Sequence, residues 1–498
     1  MRESRTGGIG RPAEGRPAEG RLQFLNRKKV RKGRYVLYWM QQSQRSVCNH
    51  ALEYGIVRAN ALSTSLIVIF VVTPNFPEAN RRHYAFMLEG LAEARDALRE
   101  RGIGMEILVG HPGEIVVEAA RDASLLVTDR GYLRVQRRWR QTVAEAVACQ
   151  MVQVESDVVV PAQEASTKEE YTAGTFRPRI QSKIHDYLRL PGENRLYKDS
   201  LALSPNVPGR RIAESAAEER ERASTETDPM QGSSRRSGRK GFVLSLTPPQ
   251  EEVRPLCWLR GGQSRAGELL ERFIREKLDF FADGRNDPSG DYLSHMSPYL
   301  HFGQISPVYI VHSILASGSP GRDAYLEELV VRRELAVNFV LFNPAYDSID
   351  CLPNWAQATL GEHAEDPREH LYTLEELGSG QTHDPYWNAA QREMVHLGKM
   401  HGYMRMYWGK KILEWTGNPE EGYRYALRLN NMYSLDGRDP NGFAGIAWCF
   451  GKHDRAWQER RVFGKIRYMN DRGLKRKFDI DGYVKRVDRA VARERAEE

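Results

Sequence analysis

The sequence predicts a chain in two folded parts: an α/β domain on a doubly wound, Rossmann-like parallel sheet, then a long connector and an all-α domain. Three observations carry this. Between Arg34 and about residue 162, short β-rich apolar runs alternate with stretches of helical periodicity, the pattern of strands joined by crossover helices. Beyond about residue 254 only the helical period remains. Between the two lies a polar stretch rich in charge, Ser and Gly.

Taken in order, residues 1–33 hold the imperfect repeat "GRPAEGRPAEG" and then "RKKVRKGR", a Gly/Pro/charge mixture that reads as a disordered basic tail. The α/β domain, 34–162, has candidate strands in "RYVLYWM", "SLIVIFVV", "GMEILVG", "ASLLVTD" and "QMVQVESDVVV", with helical stretches such as "RRHYAFMLEGLAEARDALRERG" between them. Neither GxGxxG nor a Walker A motif follows the first strand, so the dinucleotide and P-loop fingerprints do not apply. The connector, 163–253, contains "ESAAEERERASTETDPMQGSSRRSGRKG", and about 194–253 is expected to be mostly disordered. Residues 254–487 form the helical domain, with "SRAGELLERFIREKLDFFA", "AYLEELVVRRELAVNFVLF" and "NAAQREMVHLGKMHGYMRMYWGKKILEW" as helices and "GRNDPSG" and "DGRDPNG" as loops. Residues 488–498 read as a C-terminal tail.

The 498 residues are 41% hydrophobic and 28% charged, enough for two or three domains with real cores. A net charge of +7 permits an acidic partner such as nucleic acid. The longest apolar run, Leu66 to Val72, is far too short to span a bilayer, and the Arg-rich start has no apolar signal region. Five scattered cysteines without CxxC spacing indicate neither disulfides nor a metal site. The expectation is an intracellular protein, cytoplasmic or nucleoid-associated if prokaryotic, without a membrane partner. No heptad pattern is readable, so a monomer is expected.

The stretch "GKMHGYMRMYWGKKILEW", Gly398 to Trp415, has two specialised faces at helical spacing. Gly398, Gly402, Arg405 and Gly409 share one, while Leu397, Met404, Trp408 and Trp415 share the other. A glycine row admits either a neighbouring helix or a flat ligand, and both readings stand at this level.

The motifs together resemble the photolyase/cryptochrome flavoproteins, in the forms most similar to the class II cyclobutane pyrimidine dimer (CPD) DNA photolyases. "LSHMSPYLHFGQIS" resembles the segment that holds the FAD diphosphate, and "WNAAQREMVHLGKMHGYMRMYW" and "LDGRDPNGFAGIAW" resemble the two segments flanking the flavin. The likeness spans about Arg34 to Val487 outside the insertion.

It implies FAD, active as reduced FADH⁻, with Ser294, His295, Met296 and Ser297 at the diphosphate and Arg405 and Asp436 facing each other across the flavin edge. Asn430 matches the asparagine near flavin N5, and Asn441 is a second candidate. For both asparagines a cap or turn role stays open, as does an N-cap role for Ser297. Phe281 stands where the family usually has a phosphate-contacting tyrosine, which removes one hydrogen bond. An antenna chromophore, deazaflavin or folate, is left open.

The implied substrate is DNA containing cyclobutane pyrimidine dimers, with the lesion flipped out of the duplex because a buried flavin cannot reach it inside. Glu328, Arg285 and Trp448 match the lesion pocket, and Arg455 and Trp457 of "HDRAW" match the pair that fills the gap in the duplex. The implied reaction is light-driven electron transfer from reduced FAD to the dimer, which splits the cyclobutane ring. Trp408 and Trp387 are the main relay for photoreduction, with Trp415 beyond them. Ile446 occupies the position of the class I flavin-proximal tryptophan, so the class I route is missing. The alternative is a cryptochrome-like blue-light photoreceptor; the lesion-pocket matches, and the lack of a long extension after Glu498, favour repair.

Overall fold

The computed structural model describes residues 19–74, 76–208, 210–212 and 253–497. The start of the N-terminal repeat and most of the expected insertion lie outside the described residues.

The α/β domain is built on strands β1 (Leu22–Phe24), β2 (Tyr35–Met40), β3 (Ser65–Val72), β4 (Gly104–Val109), β5 (Ala123–Asp129), β6 (Gln150–Val154) and β7 (Arg210–Arg211). Their order is β1-β6-β5-β2-β3-β4-β7. Strands β2 to β6 run parallel, and β1 and β7 close the two edges antiparallel. All six residues of β2 are buried, as in a parallel strand covered on both faces. Val36, Tyr38 and Met40 pack under the helices His50–Ala61 and Arg81–Glu100, while Tyr35, Leu37 and Trp39 pack under Pro112–Ala119 and Arg134–Ala146. The chain winds from β2 outward to β4, then returns beyond β2 to β5, which puts the topological switch point between β2 and β5.

Three expected boundaries move. Residues 19–33 are not a free tail: β1 pairs with β6, and the buried Arg21 guanidinium donates to the carbonyls of Glu155, Val158, Val159 and Tyr187 at 2.7–3.1 Å. One cation satisfying four carbonyls orders a segment whose composition alone does not. Residues 194–208 and 210–212 are likewise ordered against the sheet; Asn194 donates twice to Glu53, and β7 pairs with β4. The C-terminal helix runs from Ile480 to Ala496, past the boundary at 487. Its buried Glu494 accepts from the backbone amides of Cys257 and Trp258 and ties that end to the start of the helical domain.

In the helical domain, the long predicted segment breaks into Pro385–Leu397 and Gly402–Trp415. Gly398, at φ +67°, ends the first helix in the left-handed conformation that glycine adopts without a Cβ penalty. The "AYLEELVVRRELAVNFVLF" stretch also divides, with a π-helical turn at Glu327–Arg332 between Arg322–Leu326 and Arg333–Phe342. The domains are clamped by Arg82, which donates to Tyr433 O and Val395 O at 2.7 Å each, and by Asn80, which donates to Met432 O at 2.6 Å. Among the described residues no helix is long and apolar enough to cross a membrane.

Candidate active site

Arg285 follows the short helix Phe281–Gly284, and Glu328 sits in the π-turn. The Arg285 Nη1 donates to Glu328 Oε1, and the two side chains remain 31% and 39% exposed, so the pair is formed yet reachable. The neighbouring Glu327 is engaged by Arg177 at 2.7 and 3.0 Å and by Arg332 at 3.2 Å. Of two consecutive glutamates, one is held by two arginines and the other stays partly exposed beside Arg285. π-turns interrupt the helical hydrogen-bond ladder and recur at functional sites for this reason. Trp448 is half-buried on the helix Pro440–Cys449, with the Arg332 guanidinium 5.6 Å from its ring centroid. Arg332 was not singled out from sequence, because an arginine in a helical run reads as a solvated face.

Trp457 is 39% exposed and held between two cations, with Arg455 at 4.9 Å and Arg467 at 5.2 Å from its ring. This aromatic, positively charged ledge suits stacked bases and phosphates.

On the flavin-facing side of the resemblance, Arg405 and Asn430 meet directly: Arg405 Nη1 donates to Asn430 Oδ1 at 2.9 Å. Asp436 does not pair with Arg405; its carboxylate accepts from Ser434 Oγ at 2.7 Å. Short local hydroxyl bonding draws it toward its own loop. Asn441 is exposed and caught by Asp439, which accepts from its backbone and side-chain amides at 2.8 and 2.9 Å. Asp439 is thus the cap and Asn441 the residue it caps, whereas Asn430 is buried beside the arginine.

The glycine row has two uses. A Cβ at Gly409 would lie 2.5 Å from Cys449 Sγ, so that glycine admits the neighbouring helix. At Gly402 a Cβ would meet nothing within 4 Å, and at Gly445 only Arg405 Cδ at 3.9 Å. Gly402 is itself exposed, whereas the room at half-buried Gly445 lies against the Arg405 side chain and is where a flat, polar-edged heterocycle would fit.

Ser294 Oγ accepts from Tyr325 OH at 3.1 Å, and Tyr325 meets Phe281 edge to face at 5.2 Å. A tyrosine hydroxyl thus reaches this segment from a different element than the one Phe281 vacates, a substitution that spacing cannot reveal. His295, at φ +57°, bonds Asp291 through Nε2 at 3.0 Å and Lys399 through Nδ1 at 3.1 Å. Burial, helped by the Lys399 charge, lowers its pKa to about 4, so the ring is neutral at pH 7 and Nδ1 is an acceptor. Met296 is buried and occupies the cap position, while Ser297 is the exposed first residue of the helix Ser297–His301 and not its N-cap.

The three tryptophans are contiguous. Trp408 and Trp387 are nearly parallel, 6.3 Å apart at 9°, and Trp387 meets Trp415 at 5.7 Å. Trp415 in turn touches Tyr372 at 5.5 Å, whose hydroxyl lies 2.7 Å from His383 Nδ1. The order is Trp408, Trp387, Trp415, then Tyr372, which helical spacing alone did not disclose.

A separate cavity of ≈ 1050 Å³, its mouth included, opens at the carboxyl ends of β2 and β3 and reaches the helical domain. Trp39, Phe76, Tyr84 and Trp139 give it aromatic walls. Among its lining residues Gln44 Oε1, Thr73 Oγ1, Arg333 Nη1 and Arg438 Nε are buried without a hydrogen-bond partner. Orphaned polar atoms around an aromatic cavity are a donor and acceptor set for a ligand.

Residues 36–193 match the DNA photolyase family model. Over 92% of this chain and 95% of its own length, the deoxyribodipyrimidine photo-lyase of Methanothermobacter thermautotrophicus is 51% identical. Those of Potorous tridactylus and Oryza sativa are each 39% identical over 91% of this chain and 81% and 87% of theirs. In fold, the chain is similar to a Synechocystis cryptochrome (TM-score 0.67, 16% identity, 91% and 88% of the two chains). It is also similar to a Sulfolobus tokodaii photolyase solved with two FAD molecules (TM-score 0.64, 16% identity, 91% and 89%). On the identities over nearly the whole length, the chain belongs to the DNA photolyase family.

Proposed function

We propose that this protein is a deoxyribodipyrimidine photo-lyase of class II, repairing cyclobutane pyrimidine dimers in DNA in blue light. The observation that carries the reading is the reachable Glu328–Arg285 pair, in the same helical domain as Trp448, the Arg405–Asn430 pair and a contiguous row of indoles. FAD fits the room beside Gly445 and Arg405: Arg405 and Asn430 would hold its ring, and Ser294, His295 and Ser297 its diphosphate. Bound reduced FAD supplies the light-excited electron that opens the cyclobutane ring.

The chain's own residues do the rest. Glu328 and Arg285 present an acceptor and a donor to the pyrimidine edges, and Trp448 gives the flipped dimer an apolar wall. Arg455 and Trp457 occupy the gap in the duplex and contact phosphate. Trp408, Trp387 and Trp415 form an unbroken π path from the neighbourhood of Arg405 toward Tyr372, and Ile446 leaves no alternative indole at its position. This path and the Arg455–Trp457 pair support the class II assignment. The cavity at the sheet supports an antenna chromophore, a deazaflavin or a folate, held by its aromatic walls and unpartnered polar atoms. The protein acts as an intracellular monomer. A photoreceptor has no need of a reachable acid–arginine pair in the domain that carries Trp448, so repair is the favoured reading.

The test is loss of dimers from a thymine-dimer oligonucleotide under blue light by the photoreduced protein, with a dark control. Loss in light alone supports the proposal; a yellow, reducible protein that leaves the dimers intact in light refutes it.

A further inference from the structure

Asn431, next to Asn430 in the helix Pro419–Tyr433, is 1% exposed, and its amide is bonded at both ends. Its Nδ2 donates to Glu78 Oε2 at 2.5 Å, a carboxylate from the loop after β3 in the other domain. Its Oδ1 accepts from Arg438 N at 2.9 Å and from Asn430 Nδ2 at 3.3 Å. Asn430 Oδ1 then accepts from Arg405. The chain therefore begins at a group that only accepts, the Glu78 carboxylate, and ends at one that only donates, the Arg405 guanidinium. Between such ends two amides have one consistent orientation. Turning Asn430 over would set its NH₂ against the guanidinium and its carbonyl against that of Asn431.

The backbone around this chain is held in uncommon conformations. Glu78 lies at φ +57° and Arg438 at φ +66°, both left-handed without being glycine. At Gly437 a Cβ would come within 2.6 Å of Asn431 O, so only glycine lets the loop close on that residue. Backbone strain maintained at two points around one amide marks a position whose geometry is used.

We propose that Glu78 and Asn431 are positioning residues that fix which end of the Asn430 amide is presented to the flavin. This deepens the FAD reading above and rests on it. Through them the α/β domain sets the polarity of the cofactor's surroundings: an N–H or a carbonyl at a flavin edge stabilises different charge states, and so changes its reduction potential. Arg405 fixes one end of Asn430, and the Glu78–Asn431 arm fixes the other.

The experiment is a reversal of the donor and acceptor. Asn431→Asp sets a carboxylate against Glu78, and adding Glu78→Gln restores one donor and one acceptor with their order exchanged. For FAD-loaded protein the single variant is expected to shift the midpoint potential by about 59 mV, the one-electron equivalent of tenfold in equilibrium constant. The double variant is expected to return to the wild-type value. Glu78→Ala, at an exposed position, provides a variant without core disruption and is expected to shift the potential as well, the lost negative charge acting in the opposite sense to the one that Asn431→Asp adds. Thermal midpoints measured alongside separate positioning from folding. Wild-type potentials in both single variants, or a double variant that recovers its thermal midpoint without its potential, overturn the proposal while leaving the FAD reading intact. A wild-type protein that takes up no flavin overturns both.

Discussion

His401 precedes the helix Gly402–Trp415, which carries Arg405 and two of the relay tryptophans, and it is 2% exposed. Its Nδ1 accepts from Tyr403 N at 3.2 Å, an N-cap that exists only while that nitrogen is unprotonated. Burial lowers the His401 pKa to about 4 from its ordinary 6.5, against the opposing charge of Glu393. The unfolded chain therefore binds a proton between pH 6.5 and 4 that the folded chain refuses. Stability is unaffected above pH 6.5 and falls as pH drops through this window. At about 1.4 kcal/mol per pH unit, the full window amounts to about 3 kcal/mol. His401→Asn keeps a side-chain acceptor at the cap and removes the titration. In urea unfolding followed by circular dichroism, the wild type should lose about 2–3 kcal/mol more than the variant between pH 7 and pH 4.5. His295 and His453, also at about 4, titrate in both proteins and drop out of the comparison. Parallel pH curves for the two proteins would refute the reasoning.

The glycines of the Arg405 helix should behave differently. Gly409→Ala, driven against Cys449, is expected to destabilise the protein by about 1–3 kcal/mol, whereas Gly402→Ala, with nothing within 4 Å of the added Cβ, is expected to leave stability within about 0.5 kcal/mol, as thermal melts would show. Trp387→Phe interrupts the row between Trp408 and Trp415; steady-state spectra should show photoreduction of bound flavin suppressed, with repair by chemically reduced protein retained. Trp457→Ala is expected to weaken binding to dimer-containing duplex more than to the same dimer in single-stranded DNA. Arg455→Ala should also lower the slope of log K against log salt by about 0.9 if it neutralises one phosphate, measurable by fluorescence anisotropy.

The five parallel strands could be read from the sequence because β2 and β3 are almost unbroken apolar runs buried along their whole lengths, and β4, β5 and β6 are short β-rich runs with apolar cores. Segments ordered by single polar side chains could not. Arg21 orders the β1 region through four carbonyls, and Glu53 draws Asn194 onto the sheet, features that composition averages away. At the site, Arg285, Glu328, Arg405 and Asn430 were identified from local motifs, and the fold brings them into pairs. Which pairs form was less accessible: Arg405 takes Asn430 while Asp436 takes Ser434, because a hydroxyl two residues away competes with a partner across the helix. Tyr325, Arg332, Tyr372, Asn431 and Glu78 act through contacts distant in the chain, and no short motif announces them.

The Glu328–Arg285 pair is proposed as the lesion pocket of a light-driven repair site. Its most direct test is the repair rate of a thymine-dimer oligonucleotide under saturating blue light for chemically reduced wild type and Glu328→Ala, each at equal flavin occupancy. The account predicts rapid dimer loss in the wild type, none in darkness, and a marked slowing in the variant with its flavin spectrum unchanged. Equal rates in the two proteins would contradict it.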